Sequence, residues 1–166
     1  CAPFDILVSA ATGGGLAVGP FLKMDMDGYQ ASFAKLWRYT NVVRFGTEHL
    51  AQDGAIVLVS GTPARRMNPG QIAISSVGGA VEAFVRGVAP EIAPKRINVM
   101  APGTIDTPMN SMEGDARKAF YEKATATNVI PRAGTADECA LGIIFLVQND
   151  FVTGTTVDVD GGRLVS

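Results

Sequence analysis

The chain has 166 residues, of which 47% are hydrophobic and 18% charged, with 19 glycines and a net charge of −2. This composition excludes a disordered or coiled-coil chain and, with no basic run, argues against a nucleic-acid partner. Two cysteines without a CxxC or Cys/His cluster exclude a zinc site or a disulfide framework, and no apolar run is long enough to span a bilayer.

The stretch FDILVSAA (4–11) reads as a buried strand, short, apolar and ending in small residues. Residues 12–28 are glycine-rich and read as a loop. Residues 29–52 read as one long helix, with Phe33, Leu36, Trp37, Val43 and Leu50 giving partial helical periodicity. GAIVLVSG (54–61) is a second buried strand, and TPARRMNPG (62–70) a turn-rich connector. A helix over 71–92 follows, apolar at Val77, Ala80, Val81, Phe84, Val85 and Val88, with Pro90 weakening its last turn. It carries two glycines, Gly78 and Gly79, each costing about 1 kcal/mol relative to alanine in a helix interior. RINVMAPG (96–103) is a third strand. Helices over 115–126 and 135–148 come next, the latter with Thr135 as N-cap and Glu138 completing a capping box. TTVDVDGG (155–162) is the last strand.

The order β-α-β-α-β-α-α-β, with continuous apolar strands, predicts a single α/β domain built on a parallel sheet with helices on both faces. Ligands of such sheets bind beyond the carboxyl ends of the strands, here Ser9–Gly15, Ser60–Thr62, Pro102–Pro108 and Asp160–Gly162. Gly13, Gly15 and Gly19 follow the first strand as G-x-G-x-x-x-G. That is one residue too long for a dinucleotide fingerprint, and no helix starts directly after it. Asp106, Asp158 and Asp160 lack the paired spacing of a metal site and read as turn and surface residues. His49 is the sole histidine and has no triad companions. Arg65 and Arg66 could attract a phosphate, or simply be solvated.

The segment INVMAPGTIDTPM resembles the short-chain dehydrogenase/reductase family through Ile97, Val99, Pro102, Gly103, Ile105, Thr107, Pro108 and Met109. DILVSAAT, GAIVLVSG and IPRAGTADECALGIIFLVQNDFVTGTTVDVDGG are similar to further motifs of the family in the same order. The resemblance implies a Rossmann-like doubly wound parallel sheet over 1–166, a single partial domain corresponding to strands four to seven of the family fold. The family's glycine-rich first turn is not found before Cys1, so the chain reads as a fragment or a processed form. Removal of a preceding strand would leave DILV as an apolar edge prone to self-association.

The family's catalytic helix carries Y-x-x-x-K. Alignment puts Ile74 at the tyrosine and Gly78 at the lysine, while Gly61 takes the usual serine position with Ser60 just before it. Gly78 and Gly79 then serve either close helix packing, for instance at a subunit interface, or, at Gly78, room for a ligand. The resemblance implies a hydride transfer between NAD or NADP and a carbonyl or alcohol, with Ser60 and Lys35 as the substitute catalytic groups. It implies cofactor contacts from Ala10, Ala11, Thr12, Pro102, Gly103, Ile105 and Thr107, the last to the nicotinamide carboxamide. A small-molecule substrate, a cytoplasmic location and a homo-oligomer through helices 29–52 and 71–92 are further expectations. The alternative is a non-catalytic binding or scaffold relative that keeps the fold.

Overall fold

The computed structural model describes residues 3–11 and 15–166. Four strands form one parallel sheet: β1 (Phe4–Ser9), β2 (Leu50–Val59), β3 (Arg96–Pro102) and, later in the chain, β6 (Thr156–Val159), in the order β1-β2-β3-β6. The register runs Leu7 opposite Ile56, Leu58 opposite Val99, and Met100 opposite Val157. The segments ending at Ala11, Gly61 and Gly103 therefore lie side by side and point the same way, as the α/β reading requires.

The described residues include the α-helices α1 (Met26–Ser32), α2 (Ala34–Gly46), α3 (Ile72–Val88), α4 (Gly114–Thr125) and α5 (Ala136–Gln148). One face of the sheet carries Ile56, Leu58, Ile97 and Val99 against Tyr39 and Val43 of α2 and Val81 and Val85 of α3. The other carries Val57 and Met100 against Leu146 of α5, with Ile143 and Val147 beside it. The run Ala55–Leu58 of β2 and residues Ile97 and Val99–Ala101 of β3 are apolar because both of their faces are buried. In α3 the residues four apart, Ala73, Val77, Val81 and Val85, are all at most 2% exposed, which makes them the inward stripe of the helix. Among the described residues β1 pairs with β2 alone, and Ile6 and Val8 on it are 51% and 42% exposed.

Several boundaries differ from the sequence reading. The expected helix 29–52 is two helices broken at Phe33, whose backbone (φ −73°, ψ −4°) ends α1 and starts α2. A 3₁₀ turn at Thr47–His49 follows, and Leu50 already belongs to β2, which also begins earlier than residue 54. Of the expected loop 12–28, Phe21–Lys23 is a 3₁₀ turn and α1 starts at Met26. Its cap is Asp25, whose carboxylate accepts from Asp27 N (3.3 Å) and Gly28 N (2.9 Å). The first and last strands are shorter than 4–11 and 155–162. α3 stops at Val88, two residues before Pro90. Two short strands, β4 (Ile105–Asp106) and β5 (Gly134–Thr135), form a parallel pair that the sequence does not signal.

The capping box at α5 is present as expected. Glu138 N donates to Thr135 Oγ1 (3.2 Å), and Thr135 N donates to Glu138 Oε2 (2.8 Å). Arg132 adds two bonds to the same carboxylate, at 2.6 and 2.9 Å. At the far end of α5 the buried Arg96 guanidinium donates to the carbonyls of Leu146 (2.8 Å), Val147 (2.6 Å) and Val152 (3.2 Å), satisfying helix-terminal acceptors.

The glycine pair of α3 separates into two different cases. A Cβ on Gly78 would meet Ala64 Cβ at 2.9 Å and Ser60 Oγ at 3.2 Å, whereas one on Gly79 meets nothing within 4 Å. The first glycine is the contact between α3 and the 3₁₀ turn Thr62–Ala64 of the same chain. It leaves no ligand space, which corrects that reading. The second is an ordinary helix-interior glycine.

Two predictions follow from these contacts. Gly78→Ala destabilises by about 1–3 kcal/mol through overpacking, and Gly78→Ala with Ala64→Gly recovers most of the loss. Gly79→Ala stabilises by about 0.5–1 kcal/mol. Equilibrium denaturation of the three variants reads both signs. The Arg132 bonds, then those of Thr135, hold the Glu138 carboxyl down from 4.5 to about 2. Its folded pKa lies below the unfolded one, so the unfolded chain takes up the proton first as pH falls. Glu138→Gln should therefore flatten the loss of stability between pH 4.5 and 2 in an acid titration of the melting temperature, most visibly at low salt.

Candidate functional site

At the carboxyl edge of the sheet, β2 ends in Ser60. Its N–H donates to Met100 O (3.0 Å), locking it to β3, and its hydroxyl donates to Gly78 O on α3 (3.3 Å). Ser60 is half-buried and stands against the space-filling contact at Gly78. Ile74, one turn earlier on α3, is half-buried as well. β1 delivers Ala10 and Ala11 to the same edge, both exposed; Thr12 and Gly13 lie outside the described residues.

Lys35 sits in the first turn of α2, which runs back from this edge. Its Nζ lies 5.4 Å from the centre of the Tyr39 ring, and burial pulls its pKa below 10.5. It makes no ion pair or hydrogen bond with the described residues. Tyr39, one turn on, donates its hydroxyl to Val59 O (3.0 Å), so Lys35 and Ser60 are linked through a single side chain and one peptide. Tyr39 is 1% exposed, and burial pushes its hydroxyl up to about 12. It remains protonated at neutral pH and serves as a strut, not as a replacement base.

β3 runs into Pro102, whose successor Gly103 packs against the backbone of Asp160, with a Cβ there falling 2.8 Å from Asp160 Cα. Ile105 follows in β4 and lines a cavity of about 260 Å³ with Thr104, Gly134 and Asp160. The backbone of Thr107 is held by two donors to its carbonyl, Arg117 Nη2 (2.8 Å) and Asn110 N (3.1 Å). Thr107 is half-buried, and its hydroxyl bonds to none of the described residues. This set fits the nicotinamide end of a dinucleotide: small residues ending β1, a fixed backbone at 102–107 and one uncommitted hydroxyl. A larger cavity, about 720 Å³, lies at the opposite, amino edge, between the ends of α2 and α3 near Thr47, Phe84 and Pro94, away from all the candidate residues.

Neither arginine of the 65–66 pair is available for a phosphate. Arg65 holds Asp158 with two bonds, and its Nε lies 3.4 Å from Glu82 Oε1, an oxygen with no hydrogen-bond partner among the described residues. Burial raises the Glu82 pKa against the opposing pull of Arg65. Arg66 donates to Arg163 O, Ser166 O and Ser166 Oγ. Asp160 accepts from Gly162 N (2.8 Å) and Leu164 N (3.0 Å), as a turn residue does. Among the described residues no acidic, histidine or cysteine cluster could hold a metal, and no helix is long and apolar enough to cross a membrane.

Arg117 is the residue that sequence reasoning passed over. From α4 it donates to the Asp106 carboxylate, to Thr107 O and to the carbonyls of Asn110 and Met112, and it lies 5.4 Å from the Tyr121 ring. Its only sequence signal is an arginine in the opening turn of a helix, eleven residues after an aspartate at a strand end.

A family model described as enoyl-(acyl carrier protein) reductase matches residues 2–163. The chain is similar to the 3-oxoacyl-(acyl-carrier-protein) reductase of Rattus norvegicus, 36% identical over 116 residues that cover 68% of this chain and 46% of that one. It is 34% identical over 116 residues to the enzyme of the same name from Chlamydia muridarum, with the same coverage of 68% and 46%. It thus spans less than half the length of these curated relatives. A crystal structure of a small-chain dehydrogenase in complex with NADPH superposes with a TM-score of 0.91 at 29% identity, covering 99% of this chain and 76% of that one.

Arg117→Ala should remove the bonds that shape 106–112 and cost about 1–3 kcal/mol of stability. Limited proteolysis should cut first within 107–113 in the variant and not in the wild type.

Proposed function

The chain belongs to the short-chain dehydrogenase/reductase family, and on that premise we propose that its carboxyl edge is the substrate and nicotinamide side of an NAD(P)-dependent oxidoreductase acting on a small carbonyl or alcohol. The observation that carries this reading is the fixed loop that follows β3, the strand paired with β2, and that holds Thr107 by its carbonyl while its hydroxyl bonds to none of the described residues. NADPH in a structural neighbour supports it. Bound cofactor would supply the hydride.

This chain's residues do the rest. Ser60, anchored to the Gly78 carbonyl, can turn its hydroxyl to donate to a substrate oxygen. Lys35, with no carboxylate partner among the described residues, exchanges a proton with the substrate oxygen directly or through a water. Thr107 takes the carboxamide, Pro102, Gly103 and Ile105 form the wall beneath it, and Ala10 and Ala11 leave the end of β1 open to the ring. Thr12 would extend that wall. The exposed Trp37 (67%) and Phe45 (63%) of α2 suit a homo-oligomer built on α2 and α3, in place of the full 29–52 and 71–92 spans. The free Cys139 suits a reducing, cytoplasmic location.

One observation favours the non-catalytic alternative. The side-chain space of Gly78 is filled by Ala64, so the family's lysine has no room there. Titration with NADPH and NADH, followed by cofactor fluorescence, decides between the two. Binding that weakens about tenfold in Thr107→Val, the worth of one hydrogen bond, is expected. Because burial lowers the Lys35 pKa, the pH profile of kcat/KM on a carbonyl panel should show a group titrating below 10.5 that disappears in Lys35→Met. Absence of binding to either cofactor leaves the scaffold reading.

A further inference from the structure

We infer that the cavity at the amino edge of the sheet is a binding site for short apolar peptides with free termini, separate from the carboxyl edge. Its volume, about 720 Å³, suits a ligand larger than a single amino acid. Its floor is apolar. Val43 of α2, 2% exposed, and the half-buried Phe84, Val88 and Ile92 line it. None of the residues taken for the cofactor or substrate lines it, so the inference does not rest on the reductase reading.

The rim carries charges of both signs. The end of α2 and the turn after it contribute Arg44 and Glu48, and the segment from α3 to β3 contributes Glu91 and Lys95. The members of each pair are four residues apart, a spacing that joins opposite charges along a helix. Neither pair is joined, because α2 ends at Gly46 and α3 at Val88, and the chain has left the helical path. The side chains of Arg44, Glu48 and Glu91 make no hydrogen bond or ion pair with the described residues. The half-buried Lys95 donates one ammonium N–H to Thr47 O (2.9 Å), which fixes the place of its charge and leaves two donors.

Unspent carboxylates and unspent cations around an apolar floor match a ligand with one charge of each sign and an apolar body. A simple carboxylate is repelled by Glu48 and Glu91, and a simple amine by Arg44 and Lys95. A peptide of two or three apolar residues satisfies both. Its ammonium goes to the glutamates and its carboxylate to Lys95 or Arg44, while its side chains cover Phe84, Val88 and Ile92.

The test is calorimetric titration of the full chain with dileucine, N-acetyl-dileucine, dileucine amide and free leucine. Dileucine is expected to bind most tightly, and blocking either terminus to weaken it about tenfold, the worth of one charge-assisted hydrogen bond. Glu48→Gln combined with Glu91→Gln should weaken dileucine by the same factor and leave N-acetyl-dileucine unchanged, a pattern that a loss of folding does not produce. Neither glutamate side chain bonds to a described residue, so the variant is expected to fold, which circular dichroism reports. Hexanoate, hexylamine or a blocked peptide binding as tightly as dileucine overturns the need for both charges. Free leucine binding as tightly overturns the peptide. Absence of dileucine binding overturns the site altogether, and sedimentation then shows whether a second copy of the chain fills the groove instead.

Discussion

Everything in this molecule is arranged around the burial of β2 and β3 between two helical layers. Ile56, Leu58, Ile97 and Val99 are fully covered on one side, and Val57 on the other. Strands enclosed in this way cannot carry reactive polar groups along their length without stranding them. Of the polar residues buried in β3, Asn98 donates its amide N–H to Val152 O (2.8 Å) and accepts from Thr155 N (3.2 Å). Chemistry is therefore confined to the strand ends, and the amino and carboxyl ends divide the work. At the amino end Arg96 fastens α5 to the sheet, and at the carboxyl end Ser60 and the loop to Thr107 emerge together.

The carboxyl edge is held by contacts that are mostly backbone to side chain. Arg117 grips three carbonyls of the 107–112 loop, and Tyr121 reaches Ile105 O at 3.4 Å. Pairing of β4 with β5 ties the same loop to the start of α5, where Thr135 and Glu138 cap the helix. The polar hydroxyls of Ser60 and Thr107 are thus displayed from rigid peptides, a precondition for a site that orients a ligand.

The sequence disclosed β2, β3, α3 and the α5 cap because each carries its own signal: an unbroken branched apolar run, a four-residue stripe, or a Thr-x-x-Glu box. It misled over 29–52. Apolar residues recur across Phe33 and Gly46 without a proline to mark the breaks, and Leu50-Ala51-Gln52 has no strand alternation of its own. Two-residue strands such as β4 and β5 are too short to impose a period. At the carboxyl edge, the positions of Ser60 and Thr107 just beyond β2 and β3 were readable from their motifs. The role of Arg117 and the fate of the Arg65–Arg66 pair were not, because both depend on partners 10 to 100 residues away. The same holds for Gly78, whose reason is Ala64, a residue on a different element.

That contact couples two elements. With Ala64 Cβ 2.9 Å from where a Cβ on residue 78 would stand, the turn Thr62–Ala64 and α3 meet at backbone distance, and any larger side chain on either partner pushes the other away. The end of β2 and the middle of α3 therefore shift together, and the spacing around the Ser60 hydroxyl is set by the bulk of a residue that makes no polar contact of its own.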